Sequence, residues 1–296
     1  MPEGTGVASI PGMFAPIAPN PDRSKRPTAW RALLLACVCS WSACTTQPSS
    51  PTDDPIPIRL HKLGRSDVLM LGEQHDAPDH QTIHRQVVNA LVDSGELAAL
   101  VLEMAEAGHS TRGLPASASA PQVQQALDWR EAAWPWQAYG PAVMAAVAAG
   151  IPVLGGNLPR QLNAATFRDT AWDGRVSPTV LLHQREAVRE GHCDLLPFDQ
   201  VAPMARIQLA RDAQLADTVQ SVRQRHRTVL LLTGSQHAHR LWGVAQHLPA
   251  EVSVKSVRLA ADPGRPDDAQ GFDAVWITPA LPPTDHCSQL KKQLGL

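Results

Sequence analysis

The sequence predicts a single α/β domain with a mostly parallel central sheet flanked by helices. Three observations predict it. Four short apolar runs, 68–71, 98–102, 151–154 and 228–232, each end on polar residues. Apolar runs of this length read as strands buried on both faces. Helical patterns fill the gaps between them, and strand–helix alternation favours right-handed crossovers and parallel pairing. Finally, two of the runs end alike, one in Gly72-Glu73-Gln74-His75 and the other in Gly234-Ser235-Gln236-His237.

The chain begins with a segment that the fold does not need. Arg23, Lys25, Arg26 and Arg31 precede an apolar run at 32–38, and small residues lead to Ser42-Ala43-Cys44. A basic region, a short apolar region and a small-residue cut site describe a secretory signal. The run is too short to span a membrane, which takes about 20 apolar residues. Ser-Ala-Cys followed by Thr45-Thr46-Gln47 fits a lipoprotein signal with Cys44 as the lipidated residue. Trp41 stands where Leu is usual, Cys37 offers a second cut, and Met13 is an alternative start. The plain alternative is secretion without a lipid. The expected division is 1–43 signal peptide and N-terminal extension, 44–57 flexible tether, and 58–296 folded domain.

Removing 1–43, with four basic and two acidic side chains, takes the formal charge from −2 to −4. No basic stripe or long charge run remains, so no nucleic-acid partner is expected. Of the five cysteines, Cys37 and Cys39 leave with the signal and Cys44 takes the lipid. Cys193 and Cys287 are left, and an even pair in an exported protein predicts a disulfide over a metal site. Two buried thiols are the alternative.

Within the domain, 80–91 carries Ile83, Val87, Val88 and Leu91 on one face, which predicts an amphipathic helix. The segment 138–149 is rich in Ala and Val and stops at Gly150, a C-terminal helix signal. Further helices are expected over 178–191, 199–224 and 241–248, and outer strands over 252–259 and 272–278. The Ser/Ala/Pro-rich stretch 108–120 reads as a mobile loop. Trp129, Trp134, Trp136 and Tyr139, the chain's single tyrosine, crowd the next connection. Such density suits a flat apolar ligand or a subunit contact, and equally a satellite cluster that packs one helix down.

Ligand sites of open α/β sheets lie outside the carboxyl ends of the strands. If the strands are neighbours, Glu73, His75, Glu103 and His237 reach one crevice. Two imidazoles with carboxylates suit zinc or manganese, with water activated at an open position. Each residue also has a structural reading, as a helix cap or a backbone hydrogen-bond partner. His80 and His84 stand four apart on one helix face, where His84 is expected at the surface and His80 near the strand end. Asn157 and Arg160 follow a strand, and Arg211-Asp212 lies in a long helix, where an arginine can meet an anionic ligand. No Gly-x-Ser-x-Gly, P-loop or dinucleotide fingerprint is present.

Several segments, taken together, resemble the ChaN-like haem-binding lipoproteins of the Tiki superfamily. They are Leu71-Gly72-Glu73-Gln74-His75-Asp76 with His80, Leu102-Glu103-Met104, Trp134-Pro135-Trp136-Gln137-Ala138-Tyr139 and Asn157-Leu158-Pro159-Arg160. Gly191-His192-Cys193, Ala210-Arg211-Asp212, Gly234-Ser235-Gln236-His237 and Asp273-Ala274-Val275-Trp276 complete the set. The resemblance runs from about residue 60 to 290.

It implies a periplasmic or outer-membrane lipoprotein that binds haem in iron uptake. It further implies a homodimer around a stacked haem pair, an outer-membrane haem receptor as partner, and a tyrosine on iron. Here that tyrosine can only be Tyr139, with Trp134 and Trp136 beside the porphyrin and arginines on the propionates. If Tyr139 is buried structurally, iron falls to His75, His80 or His237. The same superfamily includes metal-dependent hydrolases, so a protease or esterase centred on Glu73, His75, Glu103 and His237 is the first alternative. A lipid-anchored, partner-binding protein without a small ligand is the second.

Overall fold

The computed structural model describes residues 54–261 and 269–295. The signal segment, Cys44 and the tether up to residue 53 lie outside them. Six strands form one sheet: β1 (Val68–Glu73), β2 (Leu97–Glu106), β3 (Val153–Asn157), β4 (Thr228–Gly234), β5 (Val254–Ala260) and β6 (Ala274–Ile277). Their order is β3-β2-β4-β1-β5-β6, and every neighbouring pair is parallel. The register sets Glu73 beside Gly234. The two glycine-histidine strand ends are therefore neighbours, with β2 on the far side of β4.

Side chains alternate along each strand, so each strand feeds two cores. Leu69, Leu71, Leu100, Leu102, Leu230 and Leu232 face one layer. There they meet α2 (Pro78–Asp93) and α4 (Trp136–Ala148) through Val87, Val88, Val143 and Ala146. Val68, Met70, Val101, Val229 and Leu231 face the other layer and meet Leu215, Ala216 and Val219 of α7 (Phe198–Ser221). Burial on both faces explains why the runs are continuously apolar.

The remaining helices are α1 (Ile56–Leu63), α3 (Ala120–Ala126), α5 (Asn163–Arg168), α6 (Pro178–Gly191), α8 (Ser235–Ala238) and α9 (His286–Leu294). Helix α1 starts inside the stretch read as tether, because Ile56 is buried and Arg59 Nε donates to the Asp54 carbonyl at 2.7 Å. Among the described residues, no helix is long and apolar enough to cross a membrane. Cys193, just past α6, is bonded to Cys287 of α9, with Cα atoms 5.7 Å apart.

Two expectations need correction. The stretch 108–120 is not free at its start. Ser110 bridges Leu154, the Thr111 N–H donates to the Val153 carbonyl, and the Val153 N–H donates to Thr111 Oγ1. These bonds cover the exposed edge of β3. The helix expected over 241–248 is only a 3-10 turn at Val244–His247. At Gly243 the chain folds back so closely that a Cβ would lie 2.1 Å from the His237 carbonyl oxygen. That contact with backbone takes precedence over helical periodicity. Gly243→Ala should accordingly lose about 2–3 kcal/mol, the cost of overpacking against an immobile group. Urea denaturation measures it, and an unchanged midpoint would refute the close approach.

Candidate functional site

At the carboxyl edge of β1, Glu73 is buried and three side chains donate to it. His75 Nδ1–H and the Tyr139 hydroxyl each reach Oε1 at 2.7 Å, and Gln81 Nε2 reaches Oε2 at 2.9 Å. Burial pushes the Glu73 carboxyl up, but His84 and His75 and the Tyr139 bond more than reverse that. Burial alone would lower His75. The bond to Glu73 and the charges of Glu103 and Glu73 raise it to about 9 instead.

A second cluster is built on β2 and β4. Glu103 Oε2 accepts from Thr233 Oγ1 at 2.8 Å and from the Gly234 N–H at 2.7 Å. His237 Nε2 stands 3.7 Å from its Oε1. Burial raises the Glu103 carboxyl, but His237 and His75 with the two hydrogen bonds bring it down to about 2. His237 Nδ1 meets Asp212 Oδ1 at 2.6 Å. Burial pushes Asp212 up, and the charges of Asp212 and Glu103 outweigh burial to raise His237. Carboxylate and imidazole alternate across the edge: Glu73, His75, Glu103, His237, Asp212.

These pairings correct the alternative metal reading. Glu73, His75, Glu103 and His237 do converge, but both carboxylates and the Nδ1 atom of each histidine are already paired, with one another or with Tyr139, Gln81, Thr233, Gly234 and Asp212. No group of three His, Cys, Asp or Glu side chains among the described residues is arranged to hold a metal ion.

The aromatic segment borders the first cluster. The Trp134 ring meets His75 edge-on, with centroids 4.8 Å apart, and meets Tyr139 at 5.8 Å. Trp136 turns away and packs on Trp129 at 5.0 Å. Trp134 thus borders the His75 imidazole, whereas Trp136 packs on Trp129.

Tyr139 also departs from its expected role. It is 2% exposed, its hydroxyl is bound to Glu73, and burial followed by the Glu73 charge pushes its pKa far up. An iron-bound tyrosinate needs the opposite environment, an open phenol that ionises readily.

His80 is fully buried and engaged at both nitrogens. Its Nδ1 accepts from the Gln74 N–H at 3.0 Å, and Nε2 meets Thr278 Oγ1 at 3.1 Å. Burial lowers it to about 4, so it stays neutral. His84, expected at the surface, is fully buried, with neither nitrogen hydrogen-bonded. It shares the inward stripe of Val87, Val88 and Leu91, a phase legible in the sequence.

Asn157 Nδ2 donates to the Glu103 carbonyl at 2.8 Å, while its Oδ1 is buried and unpartnered. Arg160 is exposed and paired with Glu106, so its charge is already matched. Arg211 differs: its Nε is buried without a partner, and the side chain makes no ion pair among the described residues. Burial lowers its pKa against the charges of Glu103 and Asp212, which places the guanidinium beside the second cluster. Asp212, Gln81, Tyr139 and Thr233 were not foreseen as parts of these networks. Only Asp212 carried a signal, as the neighbour of Arg211.

A cavity of about 460 Å³ lies at the opposite, amino edge, under α1, lined by Leu60, Leu63, Leu69, Leu91 and Thr228. None of the clustered groups lines it.

Fold and site together define a parallel α/β domain with a carboxylate–imidazole cluster at the carboxyl edge of its central strands. Residues 59–248 match the family described as haem-binding uptake, Tiki superfamily, ChaN, and the chain belongs to that family. Among solved structures it is similar to ChaN of Campylobacter jejuni, which is described as binding haem cofacially. The two are 22% identical with a TM-score of 0.59, over 72% of this chain and 88% of that one. Comparison with the curated proteins gives no match.

Proposed function

We propose that this protein binds haem as cargo in iron uptake, at the carboxyl edge of β1, β4 and β2. Family membership supports the ligand class. The observation that carries the location is Arg211, a guanidinium with a buried, unpartnered Nε and no ion pair among the described residues. A buried donor left without a partner is costly, and a carboxylate is its natural complement. A haem propionate is such a carboxylate. Both Arg211 and His75 lie near enough to Glu103 to feel its charge. Trp134 stands against His75 and supplies an apolar wall for a porphyrin face. In this reading, Arg211 orients the propionate side, Trp134 keeps water off the ring, and Asn157 Oδ1 offers a spare acceptor.

The reading includes a lipid anchor on Cys44 and a place in the cell envelope, as an outer-membrane lipoprotein or in the periplasm. The leader's residue pattern is its only support. A homodimer around haem and an outer-membrane receptor rest on the family alone.

Arg211→Ala should weaken ferric haem binding roughly 10–100-fold, the value of a hydrogen bond to a charged group. Haem dimethyl ester, which lacks the carboxylates, should bind wild type and variant alike. Equal loss for haem and its ester would show that Arg211 acts through the fold and not on a propionate.

A further inference from the structure

We propose that the cavity under α1 binds one uncharged hydrocarbon chain, the tail of a neutral lipid. The site lies at the amino edge of the sheet and does not rest on the haem reading, which concerns the carboxyl edge.

Helix α1 forms one wall. Its apolar residues Ile56, Leu60 and Leu63 stand at i, i+4 and i+7, the stripe of a short amphipathic helix. Ile56 is buried in the core, whereas Leu60 and Leu63 are only partly buried and line the cavity. Opposite them, Leu69 of β1 and Leu91 of α2, 4% and 5% exposed, form the floor with Ala90. Protein interiors hold few spaces larger than a water molecule. A volume of about 460 Å³ bounded by leucines instead falls in the range of ligand sites, about 300–1,000 Å³. The lining follows α1 from Pro57 to Gly64, which makes the slot roughly 12 Å long at the helical rise per residue. A slot between two helices and a strand suits a linear chain better than a wide, flat ring.

The polar part of the lining selects the head group. Each hydroxyl there already donates within the protein: Ser66 to the Val68 carbonyl at 2.8 Å, Ser94 to the Leu91 carbonyl at 3.2 Å, and Thr228 to the Ser66 carbonyl at 2.7 Å. Arg65 is paired with Glu96 at 3.2 Å and also donates to the His226 carbonyl at 3.1 Å. The two charges on this rim therefore match one another. A carboxylate entering the slot would face Glu96 and compete for an arginine that is already engaged, and such a mismatch discriminates against the anion. A neutral tail meets only the leucines, and its gain is the apolar surface it removes from water.

The test is calorimetric titration of the full protein with straight-chain alcohols from 1-hexanol to 1-nonanol, beside the carboxylates of the same lengths. Affinity for the alcohols should rise about fourfold for each added methylene. The carboxylates should bind about tenfold more weakly or worse. Ala90→Leu and Leu63→Phe extend side chains into the slot from opposite walls, and each should weaken 1-nonanol binding at least about tenfold. Urea denaturation shows that each variant is folded, and an unchanged affinity in whichever is folded overturns the proposal. So does an affinity that stays flat along the alcohol series, or a carboxylate that binds as tightly as its alcohol. A haem titration of the same proteins reads the carboxyl edge alone, so the two readings fail separately.

Discussion

Glu103→Ala should cost the fold about 3–5 kcal/mol, the usual loss when one member of a buried charge network is removed. The substitution strands the Gly234 N–H and the Thr233 hydroxyl, both of which donate to Oε2. It also takes away the carboxylate that faces His237 Nε2 at 3.7 Å and leaves that imidazole with Asp212 alone. Removing a partner costs more than the pair is worth, because the buried remainder cannot recover water. Glu103→Gln should cost less, since an amide oxygen still accepts from Gly234 and Thr233. Glu106→Ala, in the exposed pair with Arg160, serves as the control and should change stability by less than about 1 kcal/mol. Urea denaturation of the three variants decides the matter. A Glu103→Ala midpoint like that of Glu106→Ala would mean that the network does not hold the edge together.

Stability of the haem-free protein should peak near pH 6.5 and fall on both sides. On the alkaline side, His75 is raised from 6.5 to about 9. A raised pKa contributes stability that is complete below 6.5 and lost as pH climbs through 9. The full shift is discounted to about 2 kcal/mol because the ring is partly exposed. His237, raised by Asp212 and Glu103 against burial, acts in the same direction.

On the acid side two kinds of group act. His80 and His239 are lowered to about 4, by burial first, so the unfolded chain takes up protons between 6.5 and 4 while the fold resists. Stability drops through that window. Glu103, held near 2, adds a second loss as pH falls from the ordinary glutamate value of about 4.3 toward 2. Denaturant midpoints from pH 3 to 10 should trace this bell. His75→Gln should flatten its alkaline limb. A limb unaffected by that change would rule out His75 as its source.

The architecture was largely legible in the sequence, because strand burial and helix amphipathicity are local patterns. The runs at 68–71 and 228–232 became β1 and β4, and their matching ends lie side by side as the crevice argument required. The crevice members were legible as residue types at strand ends. Their partners were not, because pairing is set by distant segments. Nothing local shows that Tyr139 would donate to Glu73 across 66 positions, or that Asp212 would hold His237. Composition marks the aromatic segment as unusual without separating a ligand wall from core packing. The structure divides it: Trp134 borders His75, while Trp136 packs on Trp129. His84 was misplaced for a different reason. Polarity suggested the surface, yet its phase with Val87, Val88 and Leu91 placed it inside.

The most direct measurement is a ferric haem titration of the intact protein, followed at the Soret band, beside metal analysis of the protein as isolated. The account predicts a saturable shift of the band, weakened by Arg211→Ala. A flat titration of well-folded protein would contradict it.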